Sequence, residues 1–253
     1  MLVDAFLFAS EMMLLDIRLR ELYERVDKFI LVQSTQTFTG QPKPIYMGEQ
    51  HQGATKMRYV TVNDMPQTDN PWEREYYQRN AILRGLADAN PDDLVLIGDI
   101  DEIPRLSAIP TQVPLGFLYA FSQDFYYYNL NTRCKGKWLG TRLCRVEDLR
   151  RWTPQEARGR MSSPILNGGW HLSMMSGIAA IQKKLESFSH QEYNKPEFKH
   201  PAHIEQAIME GRDLFDRDGL MQFERGDFAT SLPKCIQQNK GWYAPLFAER
   251  MPA

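Results

Sequence analysis

The chain has 253 residues, 43% hydrophobic and 25% charged, enough for one large α/β domain or two small ones with a full core. A formal net charge of -2 gives no electrostatic reason to expect nucleic acid or an anionic membrane surface as a partner. The three cysteines, Cys134, Cys144 and Cys235, lack metal-ligand spacing and read as reduced thiols of a cytoplasmic protein, with Cys134–Cys144 the one pairing left open.

No segment approaches the roughly 18 apolar residues of a membrane span. The start, Met1-Leu2-Val3-Asp4, enters a strand with no basic leader before it. Val3 to Phe8 alternates and is aromatic-rich, a first strand. Ser10 is placed to cap the next helix, in which Leu14, Leu15, Leu19, Leu22 and Val26 recur at helical spacing. Phe29 to Val32 is the second strand and completes a parallel β-helix-β unit. Gln33 to Pro44 is a loop at that strand's carboxyl end. Arg58 to Val62 is a third strand, and Trp72 to Asp88 a helix.

The chain is organised around its next stretch, Leu94-Val95-Leu96-Ile97-Gly98-Asp99-Ile100-Asp101-Glu102-Ile103-Pro104. Four apolar residues in a row read as a strand buried on both faces. Pro104 cannot continue a central strand, so Asp99, Asp101 and Glu102 fall at the strand's carboxyl end. Open α/β sheets bind ligands at that end. Paired carboxylates repel unless a cation or proton lies between them. Mn²⁺ or Mg²⁺, with positions left open for a phosphate, suits Asp99 and Asp101. The alternative is a solvated acidic turn.

The second half is less regular. Phe117 to Asn131 is strongly β-prone, and Trp138 to Val146 is a further strand. Pro154 to Pro164 reads as a basic loop, and the basic residues from Arg142 to Arg160 as a solvated face. Gly168 to Ser173 is a strand entered from a tight turn. Helices span Ile178 to Ser187 and Ile204 to Glu210, and Leu232 to Ala253 wraps the domain. The absence of a G-x-G-x-x-G loop and of a G-x-x-x-x-G-K-[ST] loop argues against dehydrogenases and kinases.

Several short motifs stand in a telling order. They are Asp4-Ala5-Phe6-Leu7-Phe8 with Glu11, Arg18-Leu19-x-Glu21-Leu22-Tyr23 with Val26-Asp27, and Thr37-Phe38-Thr39-Gly40-x-Pro42-Lys43-Pro44. Then come Arg74-Glu75-x-x-Gln78-Arg79-Asn80, Asp99-x-Asp101-Glu102-Ile103-Pro104 and Gly169-Trp170-His171-x-Ser173. Over roughly residues 3 to 190 the chain thereby resembles glycosyltransferase family 17. The resemblance implies a GT-A type nucleotide-sugar-binding fold, α/β, with a mixed, mainly parallel central sheet flanked by helices. It implies a UDP-sugar donor, N-acetylglucosamine being the expected sugar, a divalent metal at the D-x-D, and inversion at the anomeric carbon. The acceptor is a glycan or glycoconjugate, a microbial or viral one since the chain carries no anchor or stem. Residues 1–253 form a single domain on this reading, with a nucleotide-sugar half (1–104), an acceptor and metal half (105–200) and a C-terminal wrap.

The resemblance also distributes roles. Asp99 and Asp101 hold the metal and diphosphate, and His171 on a late strand is the third ligand, with His190 its rival. Glu102 supports the turn or pairs with Arg105. Arg79 and Asn80 contact the diphosphate or donor sugar, the alternative for Arg79 being an i,i+4 pair with Glu75. Glu11 lies where such a domain holds uridine, and Thr39, Gly40 and Lys43 lie on a loop near it. Inversion needs a carboxylate to take the acceptor's proton. Asp124 is the first candidate, ahead of Glu147 and Asp148. Tyr126, Tyr127, Tyr128 and Trp170 are candidates for stacking on sugars, or core. A metal-dependent nucleotidyltransferase and a non-catalytic carbohydrate-binding protein are the alternatives.

Overall fold

The computed structural model describes residues 1–48, 55–217, 219 and 221–248. The apolar runs form the parallel half of one sheet. β1 (Leu2–Leu7), β2 (Lys28–Ser34), β3 (Met57–Val62) and β4 (Leu94–Asp99) lie in the order β3-β2-β1-β4, all parallel. Helices cover both faces, which is why these strands are apolar without alternation. α1 (Met12–Leu22) packs Leu14, Leu15 and Leu22 into the cluster holding Phe6, Phe29 and Leu31. On the other face α2 (Pro71–Asn80) and α3 (Ile82–Gly85) cover Val3, Ala5, Ile30 and Val32.

The expected helix from Trp72 to Asp88 is thus two short ones. Gly85 is in direct contact with Ile30: a Cβ there would lie 2.4 Å from Ile30 Cγ2. Ser10 does not cap α1. Glu11 takes that position and its Oε2 accepts from the Ala9 and Ser10 amides at 3.1 and 2.8 Å.

Beyond β4 the sheet changes character. β5 (Glu102–Pro104) is a short strand at the sheet's far edge, where Pro104 breaks no ladder. β6 (Tyr119–Tyr127) and the 17-residue β7 (Asn129–Arg145) form a long hairpin, turning at Tyr128 with φ 69°. α4 (Pro154–Gly159), β8 (Ser163–Ile165) and β9 (Gly169–Ser173) follow. The order continues β4-β7-β6-β9-β5, antiparallel where β7 meets β4 and β6 and parallel where β6 meets β9. The result is the mixed, mainly parallel sheet flanked by helices that the sequence leads one to expect. The expected loop over Pro154 to Pro164 is instead α4 and β8. Thr153 and Glu156 form a capping box there, a helix-start signature that the sequence carries at the right spacing.

α5 (Gly177–Ser187), α6 (Pro196–Lys199), α7 (Pro201–Glu210), β10 (Phe223–Arg225) and α8 (Lys234–Gln238) complete the chain. Leu232, Cys235, Ile236, Tyr243 and Leu246 of the C-terminal stretch are buried in the α1-side core. Residues 249–253 of that stretch lie outside the described ones. Cys134 and Cys144 are free and buried, so the pairing left open is not made.

Candidate active site

The acidic turn is built from beneath by one side chain. Arg18 is wholly buried and donates to both Asp4 oxygens at 2.8 and 2.7 Å. Its Nη1 donates to the carbonyls of Asp99, Ile100 and Glu102 at 2.9, 3.4 and 2.8 Å. A planar guanidinium suits this use, with one edge on a carboxylate and another on a curved backbone. The turn's carbonyls are thereby tied down, and the carboxylates are left to project from its other side.

There the charges are answered by three cations that sequence reading did not combine. Asp99 meets Arg79 at 3.0 Å and Arg158, from α4, at 3.2 Å. Burial opposes its charge, but the two guanidinium groups outweigh it and hold its carboxyl below the usual range. Glu102 accepts from Arg158 at 2.6 and 2.8 Å and from the Trp138 indole N–H at 2.7 Å. Its expected partner Arg105 lies instead over the Trp170 ring. Asp101 accepts from Lys184 of α5 at 3.0 Å and faces His171 Nε2 at 3.6 Å. Burial again opposes ionisation, and Lys184 and His171 overcome it, so the carboxyl is held far below its ordinary value.

The far half of the sheet contributes one face. Glu102 pairs with His171 across β5 and β9, and His171 with Phe125 across β9 and β6. Register partners point to the same face, so Glu102, His171 and Phe125 form a row. His171 stacks on Phe125 at 4.6 Å and on Trp138 at 4.7 Å, the three rings forming one cluster. Its Nδ1 is buried with no hydrogen-bond partner.

Asp124 is not brought to this group. It pairs with Trp170, so it points to the opposite face, where Lys137 holds it. Sequence alone cannot set that parity, because it depends on the β6–β9 register. Tyr126 and Trp170 share Asp124's face and bond to Ser231, while Tyr128 bonds to the Arg212 carbonyl. These aromatics are core. Asp148 caps backbone amides at Gly116 and Arg145, and Glu147 pairs with Arg150.

Arg79 makes the i,i+4 pair with Glu75 at 2.7 Å and, beyond what the sequence suggested, a second contact with Asp99 at 3.0 Å. Asn80 accepts from the Gln155 amide at 3.0 Å and so anchors α4. Glu11 stands at the carboxyl end of β1 and favours ionised Lys184, though its hydrogen bonds stay local. Thr39 bonds to the Glu186 carbonyl at 3.1 Å and Gly40 packs against Arg74, both structural contacts. His190 is bound to Glu192 at 2.6 Å and meets Trp72 edge-on. The basic stretch is a solvated face only in part: Arg150, Arg151 and Arg160 are exposed, while Arg158 turns inward to Glu102 and Arg142 is buried, which pushes it down to about 10.

Among the described residues no set of three His, Cys, Asp or Glu side chains is arranged around a common point for a metal ion. Asp101 and His171 do converge, with a hard oxygen and an imidazole nitrogen facing each other, and this pair fits a divalent ion. Asp99 does not join them, since both its oxygens are held by arginines.

The structure is thus an α/β protein with a parallel half-sheet, carboxylates at its switch to antiparallel strands and a cationic set around them. The chain belongs to glycosyltransferase family 17, whose model ("Glycosyltransferase family 17") matches residues 1–221. It is similar to the β-1,4-mannosyl-glycoprotein 4-β-N-acetylglucosaminyltransferases of Rattus norvegicus and Homo sapiens, 30% identical over 119 residues in each case. That match takes in 42% of this chain and 22% of the length of each relative. A crystal structure of the galactosyltransferase LgtC with donor and acceptor sugar analogues aligns with 61% of both chains, at 17% identity and a TM-score of 0.34.

Proposed function

We propose that the protein transfers a sugar, N-acetylglucosamine first among the candidates, from a UDP-sugar to a glycan acceptor with inversion. The observation that carries this is the facing pair of Asp101 and His171, buried at the carboxyl edge of the parallel half. In this step an acceptor hydroxyl oxygen bonds to the anomeric carbon. The bond from that carbon to the diphosphate breaks, UDP leaves with the electron pair, and the hydroxyl proton passes to a base. Asp101 and His171 would hold a divalent ion, which supplies charge neutralisation on the leaving diphosphate. Lys184 holds Asp101, Arg79 and Arg158 hold Asp99, Arg158 also holds Glu102, and Arg18 fixes the turn that carries them. A ligand arriving at a site already arranged in this way needs little reorganisation.

The test is UDP release from a panel of UDP-sugars, with Mn²⁺ and with EDTA, for wild type and Asp101→Asn. Release from one donor, lowered at least about a hundredfold in the variant, is the expected result, equivalent to about 2.7 kcal/mol of transition-state stabilisation. Release that persists in EDTA removes the ion from the proposal and leaves the transfer. No release from any donor, and no thermal shift with UDP plus Mn²⁺, overturns the transferase reading.

A further inference from the structure

β7 pairs with β4 only through Arg142 to Arg145, so its earlier residues run on past the end of β4, over the carboxyl edge. Trp138 lies in that overhang. One side of its indole rests on His171 at 4.7 Å and on Phe125 at 5.6 Å. Its N–H is tied to Glu102 at 2.7 Å. Gly140 leaves it room: a Cβ there would stand 2.9 Å from Trp138 Cδ1. A residue held from three directions is nonetheless 37% exposed, directly beside His171, which faces Asp101. Core tryptophans bury their faces, as Trp170 does at 1% exposure.

We propose that Trp138 is the platform for the acceptor sugar. Resting on the transferase reading, this adds the residue that recognises the acceptor and the class of sugar it takes. A pyranose in the β configuration carries H1, H3 and H5 on one face, an apolar surface that packs on an indole while its hydroxyls stay free to react. The nucleotide half lies on the other side of the acidic turn, so a sugar on Trp138 approaches from the acceptor side. The indole is already fixed by Glu102 and His171, so the sugar need not order it on binding.

Two variants separate stacking from the Glu102 tie. Trp138→Phe keeps an aromatic face and loses the N–H, and Trp138→Ala loses both. The probe is methyl β-D-mannopyranoside, read by saturation-transfer NMR without donor present. Wild type and Trp138→Phe should saturate H1, H3 and H5 most strongly, and Trp138→Ala should not. In turnover the acceptor KM of Trp138→Ala should rise about tenfold, with the donor KM nearly unchanged. No saturation in wild type, equal saturation in Trp138→Ala, or Trp138→Phe as impaired as Trp138→Ala each overturns the platform. Saturation without any UDP release overturns the transferase reading and leaves the sugar site standing.

Discussion

The acidic turn has two sides that use like chemistry to different ends. Beneath it, the Arg18 and Asp4 side chains are both 0% exposed and each guanidinium nitrogen donates to a fixed oxygen. Above it, the pair of Lys184 and Asp101 is 33% and 9% exposed, and Asp99 is 32% exposed. A buried pair cannot be exchanged, because removing one member strands a charge away from water. A pair at the rim can be, since an incoming ion or phosphate replaces the lost partner. The lower side is therefore scaffold and the upper side is where the proposed site falls, though each joins a basic side chain to a carboxylate.

The largest effect that tests this contrast is Arg18→Met. It leaves the buried Asp4 carboxyl without its partner and unhooks three carbonyls, and should lower stability by about 3–5 kcal/mol in urea unfolding. Adding Asp4→Asn should restore a good part of it, because the stranded charge is gone. A loss under about 1 kcal/mol would show that the clasp is not holding the turn.

On the upper side Lys184→Met should cost less, about 1–2 kcal/mol at neutral pH. The sign with pH is set by Asp101, whose carboxyl is depressed in the folded state. Its contribution is present above the ordinary carboxylate range and is lost as pH falls through the folded value. Without Lys184 the depression shrinks, so between neutral pH and acid the variant should lose less stability than wild type, and its loss should be complete at a higher pH, as read by urea unfolding tracked by circular dichroism. Millimolar Mn²⁺ should raise the Tm of the variant more than that of wild type, since no ammonium competes for Asp101. Equal shifts would place Lys184 with the scaffold.

Legibility in the sequence divides along the same line. The strands through Phe6, Leu31 and Leu96 are apolar runs between turn residues, and Asp99 and Asp101 stand at a strand end whatever the tertiary detail. Trp138, Arg158 and Lys184 are out of reach of sequence because the β6–β7 hairpin, α4 and α5 each bring a residue to the turn from far along the chain. Arg18 stands within a family motif, but an arginine in an amphipathic helix reads as exposed until Asp4 is seen beneath it. Asp124 and His171 look equivalent in sequence, and only the β6–β9 register puts them on opposite faces.

Lys43 is a third case, and the smallest effect. Its Nζ reaches the Phe8 carbonyl at 3.5 Å, and among the described ion pairs no carboxylate partners it. Burial pushes its ammonium down to about 8, against the pull of Glu11 and with the push of Lys183. The sign is opposite to that of Asp101. Below about pH 8 the amine is charged in both states and its burial is a standing penalty; as pH rises toward about 10.5 the folded state gives up its proton first, and stability increases. Lys43→Met should therefore gain about 1 kcal/mol at pH 7, discounted for partial exposure, and the gain should vanish above about pH 10.5. UDP should reverse the order if the nucleotide lies at the carboxyl end of β1: its phosphates give the ammonium the partner it lacks, and wild type should then gain more Tm from UDP than Lys43→Met. A gain from UDP equal in both proteins would leave Lys43 outside the site and would set the nucleotide nearer to Arg79.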